Sequence, residues 1–275
     1  MSAVLTISVF LLSTPPSAEP KDIESIEQLA SCEALAKCPA AQHLIGRGET
    51  ALPALYRGLT HEKELVRFWI CGVLSEIRHA SAFEPLLKQF QSDEKLRVRN
   101  AALFALGSLR DPRAIQPLSK AMTHKDPNVR IAGIMGLSLL KDKATIPVLR
   151  RAVSDRDEEV RSSALIALGE MQVQAAYEDM TLRLREDIKP SVRAAACVAL
   201  AELGNPKAVA PMTHIVRNGR NIQVRAECAA SLGRLGSPEA VPALVSVANE
   251  PDPLGGTAKW AIVQIRKANQ KNRAP

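Results

Sequence analysis

A Val-Arg pair recurs six times along the chain, at steps of 31 or 32 residues. Leucine follows each valine by eight residues, and a second large apolar residue follows it by eleven. Small residues dominate at offsets four and seven. These offsets lie on one face of an α-helix. The chain is therefore predicted to be a stack of similar units, whose valines are Val66, Val98, Val129, Val160, Val192 and Val224.

Each unit also carries a shorter, proline-containing segment before the Val-Arg helix. The prolines recur near the same period, at Pro53, Pro85, Pro117, Pro147, Pro211 and Pro242. Asp126 and Asp157 are placed to cap the Val-Arg helices at their N-termini, and Gly204 and Gly236 to end them. The unit is thus a helix, a turn and a second helix. The proline either occupies the first turn of the first helix or kinks it.

The pattern D-x-x-V-R-x-x-A-x-x-A-L-G, alternating with A-x-x-P-L, resembles HEAT repeats of the short bacterial kind found in the phycobilisome lyase family. The resemblance covers about residues 40–268. It implies an all-α fold: a right-handed α-solenoid of about seven HEAT-like helix pairs. In such stacks the arginine of the pair usually binds an acidic residue. Arg67 and Arg225 are expected to be free, and the candidate acids for the others are Asp93, Asp126, Asp157 and Asp187.

Four segments are expected along the chain. Residues 1–18 form a signal peptide, 19–48 a linker with capping helices, 49–268 the repeat solenoid and 269–275 a flexible tail. The apolar run at 4–12 is too short to cross a bilayer, and no transmembrane span is expected. No Lys or Arg precedes that run. The prediction is a periplasmic or secreted protein, with a cytoplasmic protein that has a frayed N-terminus as the alternative.

Two of the five cysteines, Cys32 and Cys38, are candidates for a disulfide if the protein is exported. Six residues of helix rise about 9 Å, whereas a disulfide needs Cα atoms within about 7 Å. The pair can therefore close only if a helix ends between them, which Pro39 makes plausible. Cys71, Cys197 and Cys228 are interpreted as small buried residues.

Apolar residues also lie on the opposite face of the Val-Arg helices, at offsets two and six. One interpretation is packing between neighbouring units. The other is a partner-binding groove on the concave surface, running from Phe68 through Phe104 to Met135, with Trp69 at its N-terminal end. Trp69 is equally consistent with a plug over the end of the core. Arg225 completes the predicted partner-binding set.

The leading functional prediction is a non-enzymatic scaffold or adaptor, monomeric, that binds another protein. No catalytic residue, metal ligand or cofactor is predicted. His61-Glu62 is the single His-Glu pair, whereas the HEAT-like deoxyhypusine hydroxylases use several such pairs to hold iron. The resemblance to bilin lyases implies an alternative, an enzyme subunit that attaches or removes a linear tetrapyrrole.

Nucleic-acid binding is a further alternative, because the net charge of +7 lies entirely in the last third of the chain. Residues 181–275 carry 14 basic and 7 acidic side chains. Only 3% of residues are aromatic, which disfavours base stacking. Nucleic acid is therefore not the expected partner.

Overall fold

The computed structural model describes residues 19–271, and these residues form helices and turns without a β-strand. The helices alternate along the chain between a first and a second helix of each unit. The first helices are α1 (Pro20–Gln28), α3 (Leu52–Gly58), α5 (Phe83–Ser92), α7 (Ile115–Ala121), α9 (Ile146–Ala152), α11 (Tyr177–Glu186), α13 (Val209–Asn218) and α15 (Val241–Val247). The second helices are α2 (Pro39–Arg47), α4 (Glu64–Ile77), α6 (Leu96–Ser108), α8 (Pro127–Leu140), α10 (Glu158–Glu170), α12 (Pro190–Leu203), α14 (Ile222–Leu235) and α16 (Leu254–Lys271).

The all-α solenoid predicted from the repeat is confirmed. Buried apolar residues from every unit join into one continuous core, whose second helices contribute the valine and leucine rows. Successive second helices approach closely because small residues face each other. A Cβ on Gly107 would overlap the backbone of Gly136, and one on Gly169 would lie 2.8 Å from Ala199. Successive second helices lie closer together than successive first helices do, so the second helices form the inside of the curve.

The first helices begin in a common way. A turn of 3₁₀ helix precedes α7, α9 and α13, and the side chains of Asp111, Asp142 and Asn205 cap it by accepting a backbone N–H two residues on. The prolines fall within the first turn of the helix that follows, where no intrahelical hydrogen bond is lost. Asp126 and Asp157 cap α8 and α10 as predicted.

The segment predicted as a linker with capping helices is itself a helix pair. Ile26 and Leu29 at the end of α1, with Ala41 and Leu44 of α2, are buried and belong to the common core. The solenoid therefore begins at α1, before the predicted boundary at residue 49.

Residues 269–271, predicted to belong to a flexible tail, are helical. Helix α16 continues through Lys271. The side-chain amide of Asn269 donates to the carbonyls of Ile265 at 2.8 Å and Gly236 at 3.1 Å. These bonds tie the end of α16 to the preceding unit. The predicted signal peptide, residues 1–18, and the last part of the predicted tail, residues 272–275, lie outside the described residues.

Candidate protein-binding groove

A groove of about 440 Å³ runs across α4, α6 and α8 on the inner surface. Its wall includes Phe68, Trp69, Phe104 and Met135, four of the five residues predicted to bind a partner. They meet because equivalent positions on successive second helices project from the same face. Most of the other lining residues are small or apolar, such as Leu35, Gly72, Ala101 and Ile131.

Phe68 and Trp69 form the N-terminal wall of the groove. Their rings meet edge to face, with centroids 4.9 Å apart. The guanidinium of Arg97 lies over the face of Phe68, 4.1 Å from the ring centroid. Both rings pack partly against the core, so these two residues stabilise the core and also line the groove.

Phe104 and Met135 contribute little to the core. Phe104 is only partly buried and lies outside the core and its packing shell, and Met135 is 45% exposed. Neighbouring Ile131, in contrast, packs against the core. Among the residues at offsets two and six, some therefore pack into the core between units, as Ile131 does, and others mainly line the groove, as Phe104 and Met135 do. Phe104 and Met135 present apolar surface that no other described residue covers fully.

A polar atom lies among these apolar groups. Asn100 of α6 lines the groove, and its side-chain oxygen is buried without a hydrogen-bond donor among the described residues. A buried acceptor without a partner costs about 1–3 kcal/mol. Because this oxygen has almost no accessible surface, a donor in the groove could pair with it only after the amide turned outward.

The loop between α1 and α2 closes the N-terminal end of the groove. Cys32 and Cys38 form a disulfide in the structure, with their Cα atoms 5.4 Å apart. The distance is short because α1 ends at Gln28 and two 3₁₀ turns separate it from α2 at Pro39. Leu35 of this loop lines the groove, and the indole N–H of Trp69 donates to the Cys32 carbonyl at 3.2 Å. The loop is thereby fixed against the aromatic wall.

Arg225, the fifth predicted residue, does not belong to this groove. It lies on α14, and its two terminal nitrogens bind the carboxylate of Glu250 at 2.7 and 2.9 Å. The prediction that Arg225 and Arg67 are free was therefore wrong. Arg67 donates to both oxygens of Asp93, at 2.7 and 3.1 Å.

The acids that bind these arginines come from the following unit. Asp93 and Asp187 are among the predicted partners, but Arg130 binds Asp155 instead, because Asp126 and Asp157 cap helices. Burial raises the pKa of Asp93 and Asp187, but hydrogen bonds and the charges of Arg67 and Arg161 together outweigh it, so the net pKa of each carboxyl lies below its usual value. Both carboxylates are thus held ionised.

Cys197 and Cys228 also differ from the prediction, since they form a second disulfide, with Cα atoms 5.1 Å apart. It links α12 to α14. Their separation of 31 residues equals one repeat period, which places both on the same face of adjacent second helices. This spacing is the sequence signal from which the second disulfide could have been predicted. Cys71 is the one free cysteine, and burial raises the pKa of its thiol to about 12.

Two further observations concern residues 19–271. No group of three or more His, Cys, Asp or Glu side chains is arranged there to hold a metal ion. No helix in this range combines the length and apolar character required to span a bilayer.

Tandem helix pairs with a continuous core and arginine–carboxylate pairs between units define an α-solenoid repeat protein. The family model described as HEAT repeats matches residues 24–107, 83–169, 115–190 and 177–264. The chain belongs to the HEAT-repeat family. No curated protein sequence matches it.

Two similar solved structures share the fold at low sequence identity, with TM-scores above 0.5. YibA of Escherichia coli is 19% identical, with a TM-score of 0.57 over 89% of this chain and 92% of that one. Kap121p bound to RanGTP is 15% identical, with a TM-score of 0.60 over 90% of this chain and 33% of that one. The complex of CpcE and CpcF of phycocyanin lyase from Nostoc is 19% identical, with a TM-score of 0.49 over 78% of this chain and 92% of that one.

Proposed function

We propose that this protein is a non-enzymatic scaffold that binds an apolar segment of a partner protein in the groove across α4, α6 and α8. HEAT repeats are generally protein-interaction modules. The observation that carries the proposal is that the exposed Met135 and the partly buried Phe104 line the same groove as the Phe68 and Trp69 rings. Aromatic side chains and methionine are enriched in the centres of protein interfaces.

The test is site-specific photocrosslinking in the native host, with benzoylphenylalanine at position 135. The matched control is position 182, because Leu182 of α11 is 42% exposed and lies on a first helix, outside the groove. We expect a discrete adduct from position 135 that position 182 does not give. Adding Phe104→Asp should abolish the adduct, whereas Phe104→Leu should retain it. The same adduct from both positions, or none from position 135, would contradict the proposal.

A stability control separates binding from folding. Phe104→Asp should leave helicity unchanged by far-ultraviolet circular dichroism. If it unfolds the protein, Phe104 belongs to the core. Met135→Asp, assayed by affinity capture of the partner identified from the adduct, then provides the second test, since the Met135 side chain is already 45% exposed.

We also propose that the protein is exported to the periplasm or secreted. Disulfides persist in oxidising compartments and are rare in the cytosol. The Cys32–Cys38 and Cys197–Cys228 bonds support the proposal, as does the apolar run at residues 4–12. Sequencing the N-terminus of protein isolated from the native host tests it. Cleavage near Ala18 is expected, and a retained Met1 would exclude removal of a signal peptide.

A further inference from the structure

The arginine of the Val-Arg pair binds a carboxylate in four of the units. In each case the acid follows the arginine by 25 or 26 residues and ends the first helix of the next unit or lies just after it. The pairs are Arg67–Asp93, Arg130–Asp155, Arg161–Asp187 and Arg225–Glu250. Arg99 and Arg193 have no such carboxylate among the described residues.

At Arg193 the position of the missing acid is occupied by Gly219. Asp93, Asp187 and Gly219 each directly follow a ten-residue first helix, and their backbone angles are nearly identical, with φ of −65°, −64° and −64°. Gly219 therefore stands where Asp187 stands relative to Arg161, but it has no side chain. Position 219 thus has the backbone conformation of Asp93 and Asp187 but carries no carboxylate.

The guanidinium of Arg193 consequently has hydrogen-bond acceptors for only some of its N–H groups. Its Nε donates to the carbonyl of Leu184 at 3.0 Å. Arg225 makes the equivalent bond to Val216 at 2.7 Å, and its two terminal nitrogens then bind Glu250. The terminal nitrogens of Arg193 have no partner among residues 19–271. These two nitrogens are arranged so that they can donate two parallel hydrogen bonds to the oxygens of a carboxylate or a phosphate.

This fork faces a cleft of about 680 Å³ whose charged lining is entirely basic. Arg185 and Arg220 line the cleft beside Arg193, together with His214 and Asn218. Arg185 and Arg220 are exposed, and within the described part of the chain neither forms an ion pair. No carboxylate lines the cleft. Three like charges around one cavity repel each other unless an anion lies between them.

We propose that this cleft binds a phosphate-type dianion, carried by a small phosphorylated molecule, which replaces the missing carboxylate. A dianion balances three guanidinium groups better than a single carboxylate does. The volume is within the range of small-molecule sites. The site lies on α11 to α14 and does not depend on the groove across α4, α6 and α8.

Arg99 does not offer an equivalent site. His124 occupies the position of its missing acid, and Nη1 of Arg99 is already bound to the backbone carbonyls of Asp93 and Glu94 at 2.7 and 3.2 Å. Arg113, which lines the adjacent cleft, is neutralised by Asp111 at 2.6 Å. Arg99 and Arg113 are therefore already engaged within the protein.

The experiment introduces a carboxylate at position 219 and measures the effect on anion binding. Binding of pyrophosphate and inorganic phosphate is measured by isothermal titration calorimetry in chloride buffer at constant ionic strength. We expect the full chain to bind pyrophosphate, and Gly219→Asp to weaken binding at least tenfold by supplying an internal anion. Lys259→Gln, on α16, makes the same change in net charge away from the cleft and should leave affinity unchanged.

A second variant covers the case in which Gly219→Asp does not fold, because a Cβ there would lie 2.6 Å from the Ile215 carbonyl. The double variant Arg185→Gln, Arg220→Gln changes only exposed side chains, and it should also weaken binding at least tenfold. Equal affinity of the wild type and both folded variants would overturn the proposal. So would a failure to bind either anion at low salt, or binding of duplex DNA without binding of pyrophosphate.

Discussion

A buried bidentate ion pair joins Arg161 of α10 to Asp187, which directly follows α11. The distances are 2.8 Å from Nε to Oδ2 and 2.9 Å from Nη2 to Oδ1. Nη1 of the same arginine donates to the carbonyl of Asp155 at 2.9 Å. One guanidinium therefore joins two successive inter-helix turns. The same arrangement recurs at Arg67 and Arg130, so the solenoid carries a series of polar links between its units.

Asp187→Asn should destabilise the protein strongly. Removing one partner of a buried ion pair leaves an uncompensated charge, at a cost of about 3–5 kcal/mol. The measurement is urea unfolding at neutral pH. Arg150 and Asp179 provide the control, because their pair is also short, at 2.5 Å, but Arg150 is 42% exposed. Asp179→Asn should cost less than about 1 kcal/mol. Equal losses for the two variants would contradict this reasoning.

Stability should fall in acid because of Asp93 and Asp187. Their pKa is lower in the folded than in the unfolded protein, so their contribution is complete above the unfolded pKa of about 4 and is lost as pH falls through the folded pKa. The free energy of unfolding, measured from pH 7 to pH 2, should therefore decline below about pH 4. The double variant Asp93→Asn, Asp187→Asn should show a shallower decline. An unchanged decline would mean that other titratable groups cause the loss of stability in acid.

The two disulfides should contribute unequally. Loop-entropy arithmetic gives about 3–4 kcal/mol for the Cys197–Cys228 bond and about 2 kcal/mol for Cys32–Cys38, since they close loops with separations of 31 and 6 residues. Replacing each pair by serine and comparing unfolding in urea tests the order. Thiol labelling of the oxidised, denatured protein should modify Cys71 alone. Labelling of Cys197 or Cys228 would show that the second bond is absent.

Close contact between second helices should make Gly107→Ala destabilising. The new Cβ would overlap the backbone of Gly136, which cannot move aside as a side chain could, so a loss of about 1–3 kcal/mol is expected. Gly72→Ala is the matched helical control, because its Cβ would meet Leu35 at an ordinary 3.4 Å. That change should gain up to about 1 kcal/mol of helix propensity. Thermal unfolding of both variants measures the difference.

Lys141→Gly should stabilise the protein. Lys141 ends α8 in the left-handed conformation, with φ of 53°, at the position where Gly204 and Gly236 end α12 and α14. A residue with a Cβ pays a cost of about 1 kcal/mol there. The midpoint of thermal unfolding should rise, and Gly204→Ala should lower it. A fall in the midpoint for Lys141→Gly would show that its side chain makes a compensating contact.

The repeat made the helices predictable, because the valine and leucine rows define a helical face wherever they occur. The partners of the arginines were not predictable in the same way. The first helices have seven residues in α7, α9 and α15 but ten in α5, α11 and α13. The acid that reaches the arginine therefore lies at Asp155 or Glu250 after a short helix and at Asp93 or Asp187 after a long one. Spacing alone pointed equally to Asp126 and Asp157.

The groove was partly predictable. Offsets two and six placed Phe68, Phe104 and Met135 on one surface, but helical periodicity does not give the distance between neighbouring helices. That distance decides which apolar side chains are covered, and it leaves Met135 open while Ile131 packs on the core. The contribution of Leu35 depends on a loop outside the repeat, for which no periodic signal existed.

The Cys197–Cys228 bond has a mechanical consequence. A solenoid flexes by small changes in the spacing and angle between successive units, as a coil spring does. A covalent tie between α12 and α14 fixes one of these joints. Among the described residues, the joints between α4, α6 and α8 have no such covalent tie. The groove thus lies across joints whose spacing is set by side-chain packing alone.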